Sequence, residues 1–470
     1  MPTLPVTLAI LAVLFFTVHT LKSWLRLRHI PGPPLAGISP LWMLRKLSTG
    51  HFHDHLRHAS TQHGPLIRIG PNDLVCTSPS EIRRINSVRS PYTKGPFYET
   101  GRIIPGHDNI VSTRSEPAHK ALRAALSPAY AARETGGLAS IETSTDAQLA
   151  NLIRLIDSKY LSTAGSLHPF DWSTRSHFFA LDVISSLTFS KPFGFLTEDR
   201  DLYDYIEIND GAVPIMNMLG GMPWMTSIIH RWPLRLVLPS TGDKVGFGRL
   251  MGLAESRLSE RLTPSTPPRH DMLHSFLTTG LSHSQLLQHI FVQIIAGSIT
   301  TATALRHTLL AILTTPKTYA ALQSEIDTAM STGTISSPYI TDTEASQLPY
   351  LQAVIREGIR MWPPTTGIGS KQVPPGGDVV CGLHVPGGTQ VGYNFSAMMR
   401  LKSVFGEDAE VFRPERWLEG GAEKKKEMDE VVELAFGSGK FSCLGRRIAM
   451  MELNKVFFEL LRRELKAEQL

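Results

Sequence analysis

The segment Phe436-Gly437-Ser438-Gly439-Lys440-Phe441-Ser442-Cys443-Leu444-Gly445-Arg446 constrains this chain more tightly than any other stretch. Its glycines let the backbone fold closely around one cysteine, and the apolar pattern after it reads as a helix that starts beside the sulfur. A metal-binding thiolate is favoured by a positive helix end, nearby cations and backbone N–H groups within reach. All three are present here: the helix start, Lys440 with Arg446 and Arg447, and the open backbone around Gly445. Cys443 is therefore a candidate iron ligand, and the plain alternative is an inert buried thiol. A phosphate-binding loop is set aside, because Phe441 stands where such a loop needs Ser or Thr to hold magnesium.

The chain has 470 residues, enough to bury a substantial core. Its 47 Lys and Arg against 42 Asp and Glu give a net charge of +5, too mild and dispersed for nucleic acid. Cys76, Cys381 and Cys443 are the 3 cysteines, too few for a disulfide framework, so a reducing compartment is expected. The triplet Asn394-Phe395-Ser396 is a glycosylation sequon that has meaning only on a lumenal surface.

Residues 1–30 read as an N-terminal membrane anchor with a basic flank: an apolar run from Leu4 to Leu21, then Lys22, Arg26 and Arg28. A cleavable signal peptide is the rival, but no small-residue cleavage site follows. Positive charge after the run places the rest of the chain on the cytosolic side. Pro31-Gly32-Pro33-Pro34 reads as a stiff spacer, and residues 35–470 as one domain with no repeats. Within it, Thr263–Pro268 is expected to be a surface loop, and Gly420–Lys426 a polar turn with lysines at 424–426.

Apolar recurrence at three and four predicts helices near 116–131, 139–160, 176–190, 283–314, 343–361 and 444–465. Short strands are expected at 66–69, 73–77 and 379–393, the last folded back at Pro386-Gly387-Gly388. The fold class is mostly α with small peripheral β-sheets. The helix over 283–314 carries Ala296-Gly297-Ser298-Ile299-Thr300-Thr301 at its centre. Gly297 leaves room for something flat, and Thr300 can turn its hydroxyl to the Ala296 carbonyl, opening a polar notch. Glu357 and Arg360 lie three apart on one helix face, and Arg416 in Phe412-Arg413-Pro414-Glu415-Arg416-Trp417 can complete a buried network with them.

With these motifs in this order, the chain resembles the cytochrome P-450 family of heme-thiolate monooxygenases, and more closely the fungal group that includes pisatin demethylases. The resemblance runs from the Pro31 segment through Cys443. It implies the cytochrome P-450 fold, with Cys443 as axial ligand of the iron of heme b and Phe436, Gly437, Gly439, Lys440 and Gly445 on the ligand loop. It implies Thr300, with Ala296, Gly297 and Thr301, at the site of oxygen activation, and His119 and Arg123 on the heme propionates. Glu357, Arg360 and Arg416 match the family's structural network. O2, and electrons from NADPH through NADPH-cytochrome P-450 reductase, are implied co-reactants. Arg446, Arg447 and Lys424 to Lys426 are candidate contacts for that reductase.

The implied activity is hydroxylation or oxidative demethylation of a lipophilic substrate in fungal secondary metabolism or detoxification. The implied place is a single-pass anchor in the endoplasmic reticulum membrane, with the catalytic domain in the cytosol. Apolar stretches around Tyr98–Asn109, Ile215–Trp232, Ile295 with Ile299, and Thr365–Ile368 are expected to face the substrate. Met222-Pro223-Trp224-Met225 and Trp232 can instead meet the bilayer surface. The pattern departs from the family at Phe441, where a basic residue usually meets a propionate, and at Ile299, where an acid usually precedes the threonine. The chain also ends at Leu470, leaving room after Cys443 for one helix but not for the family's terminal strands. Two rival readings remain: a heme-thiolate isomerase or dehydratase that needs no reductase, and an inactive truncated membrane protein.

Overall fold

A computed structural model describes residues 3–132, 137–163, 165–263 and 269–463. Its axis is the helix His283–Thr314, started by a reciprocal cap in which the Ser282 hydroxyl accepts from the Gln285 N–H and the Gln285 side chain accepts from the Ser282 N–H. Trp172–Phe189, Pro349–Met361 and Arg446–Arg462 pack around it. Among the described residues it alone has the length and apolar composition of a membrane span, yet most of it is buried inside the protein. A helix apolar on all sides and covered by other helices is a core helix.

Seven short strands complete the described architecture: β1 Leu66–Arg68, β2 Asp73–Cys76, β3 Thr93–Lys94, β4 Lys371–Gln372, β5 Asp378–Val380, β6 Leu383–Val385 and β7 Gln390–Tyr393. Five form one sheet in the order β1-β2-β7-β4-β3, with β2 parallel to β7 and the other pairs antiparallel. β5 and β6 form a separate hairpin. The mostly helical class with small sheets is as expected.

Several boundaries differ from the periodicity for local reasons. The α-helix expected over 139–160 ends at Leu155 and closes with a π turn, Ile156–Tyr160. The pattern over 343–361 is two helices, Asp342–Ser346 and Pro349–Met361, because Pro349 keeps Leu348 extended. Tyr205–Gly220 was not foreseen as a helix, its pattern being interrupted by Gly211 and Pro214. Gly421–Val432, expected as a polar turn in its first half, is a helix. The segment Pro264–Pro268 lies outside the described residues. So do residues 464–470, beyond the cysteine helix Arg446–Arg462.

A helix spans Thr3–Leu27, and its last turn is fastened to the sheet. Arg68 donates to the carbonyls of Ser23 at 3.0 Å and Trp24 at 3.2 Å, and Ser23 Oγ donates to the Pro71 carbonyl at 2.7 Å. Arg26, read from sequence as part of a basic flank, reaches the turn before β7 through the Gly387 carbonyl and Thr389 Oγ1. Pro31 accepts from the Arg68 N–H at 2.7 Å, so the proline segment is held against β1. Asn394 is buried, caps Ala397 and donates to Ser60 Oγ, which leaves its amide closed to glycosylation in the fold.

Candidate active site

The cysteine loop is closed by the Cys443 N–H donating to the Phe436 carbonyl at 2.7 Å. Gly437 and Gly439 hold φ of +71° and +56°, and a Cβ on Gly439 would lie 2.1 Å from the Asn86 carbonyl oxygen. Only glycine lets the loop approach the helix Pro79–Asn86 so closely. From the helix Glu116–Tyr130, Arg123 donates to the Ser442 carbonyl at 2.6 Å and to Ser442 Oγ at 2.7 Å, beside the sulfur.

Cys443 opens onto an internal cavity while the protein shelters it from bulk solvent. Burial pushes its thiol up, against the pull of the Gly445 and Arg446 N–H groups and of Arg123 and Arg446. The N–H groups and cations read from the sequence pull the thiol down as expected, and desolvation, which the sequence pattern does not disclose, is the larger influence. Lys440 faces away, with Nζ 2.7 Å from Glu116 and bonded to the Ser90 and Tyr92 carbonyls. Arg446 is paired with Glu433 at 2.6 Å. A cation bound at the sulfur would offset the cost of its burial.

The cavity, about 370 Å³, lies between the cysteine loop and the long helix. Phe436, Cys443 and Gly445 line one side; Ala296, Gly297, Thr300 and Thr301 line the other. Thr300 Oγ1 donates to the Ala296 carbonyl at 2.8 Å, the back-bond expected from sequence, within an uninterrupted helix. Gly297 also serves packing, since a Cβ there would lie 2.9 Å from Ile184 Cγ1. Tyr98 and Thr365 reach the wall, as expected. Ile295, Ile299 and the stretch 215–232 are not among the lining residues, which corrects their assignment to the substrate wall.

At one rim the sequence reading missed the decisive residues. Lys94 in β3 and Lys371 in β4 stand directly opposite each other, both buried. Like charges at such a position repel. Lys371 Nζ donates to Tyr98 OH at 2.6 Å and sits 4.1 Å from the Phe441 ring centre; Lys94 Nζ donates to the Val111 carbonyl at 2.9 Å. Burial lowers Lys94 to about 7 and holds Lys371 well below the usual lysine range. His119, with its ring 5.4 Å from Phe441, is lowered to about 3 by burial and then by Lys94, Arg123, Lys371 and Lys440. Among the described residues no carboxylate forms an ion pair with Lys94, Lys371 or Arg123. Buried basic groups that lack a counter-charge and are therefore held towards their neutral forms fit a ligand whose carboxylates would restore their charge, as those of heme would.

Behind the site, Glu357 is fully buried and receives five donors. Arg360 Nε and Nη2 each lie at 2.8 Å, Arg416 Nε at 3.0 Å, Trp417 Nε1 at 2.9 Å and the Arg413 N–H at 2.8 Å. The rest of both guanidinium groups is taken up by the carbonyls of Met399, Ala409, Val411, Phe405 and Asp408 and, for Arg416, by the Asp408 carboxylate at 2.9 Å. Trp417 and the Arg413 N–H were not foreseen as members. The network ties the helix ending at Met361 to the segment that leads into the cysteine loop.

The protein-family model described as Cytochrome P450 matches residues 31–465. The chain belongs to the cytochrome P450 family. It is 41% identical to cytochrome P450 monooxygenase ABA1 of Pyricularia oryzae (strain 70-15 / ATCC MYA-4617 / FGSC 8958), over 96% of this chain and 90% of that protein. It is 40% identical to aba1 of Botryotinia fuckeliana (strain B05.10), over 93% and 86%, and 38% identical to abl1 of Leptosphaeria maculans, over 93% and 77%. This cytochrome P450 is accordingly a heme-thiolate monooxygenase and an oxidoreductase, using heme b, O2 and electrons from a redox partner. The unpaired basic groups at the rim and the cysteine facing the long helix are of the chemical kinds that fit the carboxylates and the iron of such a cofactor.

Proposed function

We propose that this cytochrome P450 binds heme b with Cys443 Sγ on the iron and hydroxylates or oxidatively demethylates a lipophilic substrate held on the Thr300 side. The observation that carries the reading is one apolar cavity faced by Cys443 from the loop and by Thr300 from the long helix. When bound, heme supplies the activation of dioxygen and the transfer of one oxygen atom to substrate. Lys94, His119 and Arg123, which line the cavity, would take the carboxylates, with Lys371 behind them against the Phe441 ring adding to the positive potential. Apolar walls exclude bulk water, while the Thr300 hydroxyl, donating to the Ala296 carbonyl, keeps its oxygen lone pairs free to accept a hydrogen bond and would hold a proton-bearing group in place on the oxygen side. Ile299 offers no carboxyl there, so Thr300, Thr301 and water carry the relay alone.

Reductase docking is proposed on the cysteine face, where Lys425, Lys426 and Arg447 are exposed while Lys424 and Arg446 are paired with Glu427 and Glu433. A single-pass anchor in the endoplasmic reticulum membrane is proposed for the N-terminal helix, whose Leu11, Leu14, Leu21 and Leu25 are exposed. Exposed Leu41, Trp224, Trp232 and Leu236 extend an apolar surface from which a lipophilic substrate can enter. The test is turnover of candidate lipophilic compounds with NADPH, a P450 reductase and isotopically labelled dioxygen. One labelled oxygen in the product is expected; rearranged or dehydrated product formed without NADPH would establish the reductase-independent reading instead.

A further inference from the structure

We propose that Cys76 and Cys381 are a dithiol that a hydroperoxide closes to a disulfide, locking the β5–β6 hairpin to β2 and restraining the loop that carries Cys443. The two Sγ atoms lie 3.7 Å apart although 305 residues separate them in sequence, and both are free thiols. Cys76 ends β2 and is buried; Cys381 sits partly exposed at the hairpin tip. There Cys381 and Gly382 both take left-handed backbone, with φ of +51° and +77°. Such a two-residue turn normally calls for Asn or Asp before Gly, and a cysteine has no local advantage in it. What the turn achieves is to aim one thiol at another.

The pair is chemically asymmetric. Cys76 is buried within β2 while Cys381 is partly exposed at the hairpin tip, so a peroxide reaches Cys381 first, and burial raises the Cys76 thiol. Cys381 is thus the attacking sulfur and Cys76 the resolving one. The Cys381 thiolate attacks one peroxide oxygen, the O–O bond breaks, and the other oxygen leaves with a proton as water or alcohol. The resulting sulfenic acid on Cys381 is displaced by the Cys76 sulfur; an S–S bond forms and the sulfenic oxygen leaves as water with the Cys76 proton. Two electrons pass from the sulfurs to the peroxide.

A continuous set of bonds links this hairpin to the cysteine loop. Asp378 of β5 accepts from Arg84 Nη1 and Tyr92 OH, both at 2.7 Å, and Glu81 accepts from the Cys381 N–H at 3.1 Å. The carbonyl of Tyr92 accepts from Lys440 Nζ at 2.9 Å, and Gly439 rests on the carbonyl of Asn86 at the end of the same helix as Glu81 and Arg84. Fixing the hairpin therefore stiffens one side of the Cys443 loop.

The test maps thiols in the reduced, heme-loaded protein after a molar equivalent of hydrogen peroxide, trapping free thiols with iodoacetamide, and measures heme transfer to apomyoglobin in both redox forms. A Cys76–Cys381 cross-linked peptide, reversed by dithiothreitol, and severalfold slower heme transfer from the oxidised form are expected. Cys381→Asn, which suits the turn, should abolish both effects while preserving the fold. Recovery of the two residues as separately alkylated or overoxidised thiols overturns the proposal, and so does equal heme transfer from the oxidised and reduced forms. The thiol map needs neither turnover nor heme, so failure to load heme would count against Cys443 as ligand and not against this pair.

Discussion

Replacing Glu357 by Gln keeps the shape of a buried side chain and removes the charge that two buried guanidinium groups share. Arg360 and Arg416 make contacts at 2.8 to 3.0 Å to its carboxylate and have no route to solvent. Breaking a buried ion pair by deleting one partner costs about 3–5 kcal/mol, because the remaining charge stays desolvated. That is a large part of the roughly 5–15 kcal/mol by which folded domains are stable. Among the described residues Arg360 pairs with no other carboxylate, while Arg416 keeps Asp408 at 2.9 Å, so the lower half of the range is expected, with the amide of Gln keeping a share of the hydrogen bonds to Trp417 and the Arg413 N–H. The assay is denaturant titration followed by heme absorbance and tryptophan fluorescence. The variant should lose heme and fluorescence structure at a clearly lower midpoint. A Glu357→Gln protein within about 1 kcal/mol of wild type would refute the account of this network as a strongly coupled, fully desolvated unit.

Thr300→Ala should retain heme but release severalfold more peroxide per substrate oxidised, measured as the ratio of peroxide to product; an unchanged ratio would remove Thr300 from the proton relay. Lys371→Met removes one of the basic groups set against the carboxylates and should speed heme transfer to apomyoglobin severalfold; an unchanged rate would remove Lys371 from the carboxylate site. His177 and His289 are held neutral to about 4 by burial, with Arg306 adding to the effect at His177. The unfolded chain binds their protons near 6.5, so stability is complete above that pH and falls on acidification towards 4. Each contributes a slope of up to about 1.4 kcal/mol per pH unit. Denaturation midpoints across that range should fall accordingly, and His289→Gln should flatten the curve.

What the sequence disclosed about this site was mostly local. The Cys443 loop was legible because its glycines, cysteine and helix start are contiguous, and Glu357 with Arg360 because helical spacing puts them on one face. Thr300 bonding back to Ala296 follows from the same geometry. The rim of cations was hidden, since Lys94 and Lys371 belong to two-residue strands that show no periodicity and become neighbours only when β3 pairs with β4. The phase of the long helix explains the misplaced isoleucines. His289, Gln293, Ala296, Gly297, Thr300 and Ala304 form one stripe on the cavity wall, and Ile295 and Ile299 lie a residue off it. Trp417 was overlooked although adjacent to Arg416, because its indole N–H finds Glu357 only once the Pro414 turn is formed.

The most direct test of the central claim is the absorption spectrum of the reduced, carbon monoxide-bound protein, wild type beside Cys443→Ala. Wild type should show the red-shifted Soret band of thiolate-ligated heme, and the variant should lose that band even when some heme remains in the cavity. A wild-type protein that takes up heme without the shifted band, or a Cys443→Ala protein that keeps it, would contradict the assignment of Cys443 as the iron ligand.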